Sequence, residues 1–96
     1  EDLGFSERGK GSEDAAAGKF DLEGDIPVNT DGGLKCFGHP VGASGIRIIY
    51  EVYQQLRGTA DLRQLAQPRI GLTHNLGGRP GSFTCSVGIF GSVNTT

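Results

Sequence analysis

At 96 residues, with 35% hydrophobic residues, 17 glycines and neither Trp nor Met, the chain fits one domain with a modest core and many turns. Its net charge of −2 is unevenly divided, with nine acidic and three basic side chains in residues 1–33 against two acidic and six basic in residues 34–96. There is no block of like charge, no basic-aromatic interleaving, no apolar run of about 18 residues and no apolar signal core, which argues against a nucleic-acid binder, a membrane span or an exported protein and places the expectation in the cytoplasm.

Residues 1–25 read as an exposed acidic loop region. Glu1–Phe5 is expected to be the end of a helix from upstream, because Leu3 and Phe5 are too few apolar positions for a helix of their own. Ser6–Lys19 has almost nothing to bury, and Gly18 stops whatever helical turn Ala15–Ala17 can form. The absence of a leading Met agrees with a piece of a longer protein.

Residues 26–91 hold the organised part. Ile26-Pro27-Val28 is a short extended lead, since Pro27 biases Ile26 away from helix. Asn29–Gly45 then packs five glycines, Pro40 and His39 into seventeen positions, a density that suits a tightly turning backbone that other groups approach closely. From Val41 to Arg57 the apolar residues Ala43, Ile46, Ile49, Tyr53 and Leu56 fall at helical spacing, widened by Ile48 and Val52. Gly58 ends the pattern, so a helix with a broad buried apolar face is expected. Thr59–Pro68 carries a weaker helical pattern at Leu62, Leu65 and Ala66. Arg69–Leu76 and Ser82–Phe90 read as two strands joined by a turn at Gly77–Gly81. In the second, Phe83, Cys85, Val87 and Ile89 alternate against polar partners and are expected to face the core. Residues 92–96 are left as a tail. Cys36 and Cys85 lack metal spacing and are expected to be buried thiols rather than a disulfide.

Chemistry concentrates at His39. Its imidazole is the side chain of the glycine-rich segment that can take and return a proton near neutral pH. The predicted helix begins just beyond it, which brings unpaired backbone N–H groups and the positive end of the helix dipole beside the ring and favours its uncharged form. The basic balance of residues 34–96 suits an anionic ligand.

The octet Gly38-His39-Pro40-Val41-Gly42-Ala43-Ser44-Gly45, preceded by Asn29–Gly33 and followed by the glycine turn after Ile70, resembles the glycine-histidine-proline motif in the C-terminal domain of thiolases. The resemblance covers roughly Ile26–Phe90. It implies an α/β fold, a portion of one thiolase half in which helices pack a mixed sheet, within a layered α/β/α/β/α protein that dimerises. It also implies acyl transfer on acyl-coenzyme A thioesters, by Claisen condensation or thiolytic cleavage of 3-ketoacyl-coenzyme A. His39 would be the base, and Gly77 would donate its amide to an oxyanion hole. Gly38, His74 and Asn75 would lie against the substrate. The nucleophilic cysteine would come from the N-terminal thiolase domain, and coenzyme A would be substrate or product with no metal or separate cofactor. Asn75 stands where thiolases carry the cysteine of a Cys-x-Gly motif, and it cannot shuttle a proton. The run His74-Asn75-Leu76-Gly77 is similar instead to the sterol-carrier-protein type and to archaeal and actinobacterial thiolase-like proteins. A thiolase-fold lyase acting by retro-aldol cleavage and a non-catalytic interaction module therefore stand as alternatives. The 96-residue chain alone, without the nucleophile, is expected to be inactive.

Overall fold

A computed structural model of the chain describes residues 1–93. Its elements are α1 (Gly11–Ala16), α2 (Gly33–Phe37), α3 (Ser44–Arg57), a single 3-10 turn (Asp61–Arg63), and the strands β1 (Ile70–Arg79) and β2 (Ser82–Gly91). The strands form a two-stranded antiparallel sheet with Ile70 opposite Gly91 and Arg79 opposite Ser82. Helix α3 packs on β1. The α/β character expected from the sequence is borne out.

Several boundaries differ from the sequence reading. Glu1–Gly4 forms a turn closed by Gly4 N–H on Glu1 C=O at 2.8 Å, in place of a helix end. The helical turn of the acidic region starts earlier, at Gly11, and stops before Gly18. The weak pattern after Thr59 yields only the 3-10 turn, and the Arg63 and Gln64 side chains there bond to Glu51 and the Gln55 carbonyl of α3. The expected turn at Gly77–Gly81 shrinks to Pro80-Gly81, with β1 running on through Arg79. Gly78 makes this continuation possible: its φ is +101°, and a Cβ there would lie 2.5 Å from the Ser82 carbonyl oxygen, so only glycine keeps the ladder intact. Gly91 belongs to β2, and the rest of the expected tail, residues 94–96, lies outside the described residues.

The largest correction concerns which surfaces are covered. Helix α3 exists as expected, and Gly58 ends it with φ +73°. Its buried residues, however, are Ser44, Glu51 and Gln55. Ile46 is 71% exposed, and Ile49, Tyr50 and Tyr53 are exposed as well. The fully buried positions are polar because they are matched by polar groups, while Ile48 and Val52 of the expected apolar stripe are half-buried beside them. Glu51 Oε1 accepts from Thr30 Oγ1 at 2.8 Å, from Gln55 Nε2 at 3.1 Å and from Arg63 Nε at 2.9 Å, while Arg63 Nη2 reaches Glu51 Oε2 at 2.8 Å. Gln55 also donates to the Arg63 carbonyl and accepts from the Leu65 amide, both at 2.9 Å. Buried polar groups persist only when satisfied, and this cluster is.

The sheet repeats the inversion. Strand alternation puts Gly71, Thr73, Asn75 and Gly77 on one face and Ile70, Leu72, His74 and Leu76 on the other. The small, polar face meets α3: Thr73 is buried, and a Cβ on Gly71 would lie 2.5 Å from Val52 Cγ1. The apolar face, extended across the ladder by Ile89, Val87, Cys85 and Phe83, is exposed. Cys85 is therefore not a core residue in this chain, and both it and Cys36 are free and exposed rather than buried thiols. Among the described hydrophobic residues only Ala60 is buried. Apolar faces of this extent belong against further layers of protein.

Candidate functional site

Three local devices hold the glycine-rich segment on α3. The Thr30 bond to Glu51 fixes its start. Asp31 accepts the Gly33 amide on Oδ1 at 2.9 Å, which starts α2, and accepts Arg47 Nη1 on Oδ2. The Arg47 guanidinium also stacks over the Phe37 ring, 4.9 Å from its centroid, so one α3 side chain grips both ends of α2. The sequence reading missed α2. Its signal is weak, a five-residue helix opening on glycine, and its geometry depends on Arg47 ten to fourteen positions downstream.

Beyond α2 the chain reverses. Gly38 adopts φ +74°, ψ −170°, a conformation that favours glycine, and delivers His39 outside the helix. The turn Pro40–Ser44 is closed by the amides of Ala43 and Ser44 on the Pro40 carbonyl, at 2.8 and 3.0 Å, and leads into α3. The His39 ring is exposed, with Nδ1 2.7 Å from Ser44 Oγ, itself the first residue of the helix and only 5% exposed. The same hydroxyl donates to the Pro40 carbonyl at 3.2 Å. The ring thus stands at the start of a fourteen-residue helix, in the place the sequence reading gives it.

The second motif comes to the same place. Asn75 Oδ1 lies 3.8 Å from where a Cβ on Gly45 would sit, so the amide of Asn75 abuts the first turn of α3, one residue from Ser44. Gly77, on the same face of β1, stands opposite Thr84, and among the described residues nothing lies within 4 Å of where its Cβ would be. Gly42 likewise has no described atom within 4 Å of where its Cβ would be. Neither Gly42 nor Gly77 has a positive φ. Their missing side chains are thus required by no positive φ and by no described neighbour, and they leave the backbone free to be approached.

His74 is not brought to this cluster. It points to the opposite face of β1 from Asn75, opposite Val87 and alongside Leu72 and Leu76. No described helix is long and apolar enough to cross a membrane.

Comparison with known proteins identifies the family. The family described as "Thiolase C-terminal domain-like" matches residues 1–89, which extends the likeness into the acidic region as well. The chain is 52% identical over 90 residues to an acetyl-CoA acetyltransferase of Methanothermobacter thermautotrophicus, covering 94% of this chain and 23% of that protein. It is 38% identical over 88 residues to an acetyl-CoA acetyltransferase of Methanocaldococcus jannaschii, covering 85% of this chain and 22% of the relative. It is also 40% identical over 77 residues to sterol carrier protein 2 of Oryctolagus cuniculus, covering 80% of this chain and 14% of that protein. The chain spans less than a quarter of the length of these relatives. On this match along nearly its whole length, the chain belongs to the thiolase C-terminal domain-like family.

Proposed function

We propose that this chain supplies the base and part of the oxygen-binding site of a thiolase-type acyltransferase acting on acyl-coenzyme A thioesters. Family membership and the acetyltransferase relatives support the reaction class. The observation that carries the assignment to residues is the juxtaposition at the start of α3: the exposed His39 ring on Ser44, with Asn75 of β1 one residue further along.

In this reading His39 takes the proton of a cysteine thiol contributed by another domain. The thiolate attacks the 3-keto carbonyl, the C2–C3 bond breaks with the proton passing to the departing carbon to give acetyl-coenzyme A, and the thiol of free coenzyme A then takes the acyl group from the cysteine and returns a proton to its sulfur through His39. The Gly77 amide donates to the carbonyl oxygen as it gains charge, and the open space beside Gly77 admits that oxygen. Asn75 contributes a fixed amide dipole near the reacting carbons and no proton transfer.

The test is turnover of acetoacetyl-coenzyme A by the whole protein. The expected result is thiolysis that consumes free coenzyme A and falls by roughly 10²-fold or more in His39→Ala, in line with loss of a general base. Unchanged turnover in that variant overturns the reading. The presence of Asn75 where a proton-shuttling cysteine is otherwise found favours a second reading, retro-aldol cleavage of a β-hydroxyacyl thioester. That reaction releases a carbonyl compound and an acyl thioester without consuming free coenzyme A, so a coenzyme A balance separates the two.

A further inference from the structure

We propose that Ser44 is a positioning residue that fixes which nitrogen of His39 carries the proton, an inference that rests on His39 serving as the base. Ser44 is 5% exposed, so its hydroxyl is partnered by protein rather than by solvent. It touches two groups: His39 Nδ1 at 2.7 Å and the Pro40 carbonyl oxygen at 3.2 Å. The hydroxyl has one proton, and a carbonyl can only accept. Both contacts are hydrogen bonds in a single arrangement, in which Ser44 donates to Pro40 and Nδ1–H donates to Ser44. The alternative, with the hydroxyl donating to a bare Nδ1, sets two oxygens 3.2 Å apart with no proton between them.

The consequence falls on the far nitrogen. With the ring proton on Nδ1, the lone pair sits on Nε2, which is the state a base requires. The other tautomer presents an N–H to an incoming thiol and cannot accept its proton. Rigidity comes from the backbone: the Ala43 and Ser44 amides close onto the same Pro40 carbonyl, so the hydroxyl, the carbonyl and the ring are held by six consecutive residues and the helix they start. Ser44 thereby does locally what a buried carboxylate does for a histidine elsewhere, without adding a charge.

The experiment uses the whole protein with 15N-labelled histidine, read by solid-state NMR and assigned by the signal lost in His39→Gln. The expected result is a protonated Nδ1 and an unprotonated Nε2 in the wild type. Ser44→Ala should populate the Nε2–H form and lower kcat by roughly 10- to 100-fold, with KM changed by less than about twofold. Ser44→Thr keeps a hydroxyl at the same atom and should restore both the tautomer and kcat to within about threefold. A wild-type ring protonated on Nε2 overturns the inference, and this measurement stands whether or not Ser44→Ala folds. A Ser44→Ala protein with wild-type kcat and tautomer also overturns it, while His39→Ala remains inactive. Wild-type turnover in His39→Ala overturns the proposed function instead.

Discussion

Glu51 and Arg63 form a two-pronged pair: Nε lies 2.9 Å from Oε1 and Nη2 lies 2.8 Å from Oε2. The pair joins the middle of α3 to the 3-10 turn, and through Thr30 it reaches the segment that ends at His39. Glu51→Gln keeps the volume and removes the charge that Thr30, Gln55 and Arg63 converge on. It is expected to destabilise this domain in the whole protein by about 2 kcal/mol, the range for a hydrogen-bonded buried carboxylate. Thermal or denaturant unfolding measures it, and an effect below about 0.5 kcal/mol, typical of surface positions, would show the network to be idle.

The same carboxylate gives a pH dependence. Burial pushes the Glu51 carboxyl up, but hydrogen bonds from Arg63, Thr30 and Gln55 and the Arg63 charge together outweigh it and hold the group below its ordinary value of 4.5. The unfolded chain therefore takes up the proton first. The stabilisation is fully present above that ordinary value and is lost as pH falls below it toward the lowered folded value. The stability gap between wild type and Glu51→Gln should be constant from neutral pH down to about 5 and close progressively below about 4.5. A gap that widens on acidification would contradict the assignment.

At Gly71 the sheet meets α3 with no space to spare, since a Cβ would lie 2.5 Å from Val52 Cγ1 and 3.3 Å from Cγ2. Valine is stiff about χ1 and cannot swing aside. Gly71→Ala is expected to cost about 1–3 kcal/mol by overpacking, and Val52→Ala to recover part of that loss in the double variant. Simple additivity of the two losses would place the helix farther from β1.

The exposed apolar faces of α3 and of the sheet carry a prediction for the isolated chain. With Ala60 as the buried hydrophobic residue among those described, and Ile46, Ile70 and Ile89 each at least 70% exposed, the 96-residue polypeptide should bind a hydrophobic dye and self-associate. It should also lack measurable turnover of acetoacetyl-coenzyme A. A monomeric chain with a sharp unfolding transition and no dye binding would show that these faces need no cover.

What could be read from sequence, and what could not, divides along physical lines. The spacing of Ile46, Ile49 and Tyr53 places them on one side of a helix, and Gly58 ends it, because both signals are local. Periodicity says which residues share a side and is silent on which side is covered. The polar stripe Ser44-Glu51-Gln55 is buried because Thr30 and Arg63 arrive from distant positions. The parity that sends His74 away from Asn75 was legible in the strand pattern itself. The place of Asn75 against Gly45 was not, since it depends on how β1 docks on α3. Gly77 looked like part of a turn because two glycines adjoin there. The two-residue Pro80-Gly81 connection, with Gly81 at φ +81°, makes the reversal instead.

The central claim is that the imidazole of His39 serves a sulfur from outside this chain. The most direct measurement is the distance from His39 Nε2 to the nucleophilic cysteine sulfur in a crystal structure of the whole protein. The account predicts hydrogen-bonding contact, about 3–3.5 Å, with Ser44 still on Nδ1. A sulfur beyond about 6 Å, or a ring whose Nε2 faces another group, would contradict it.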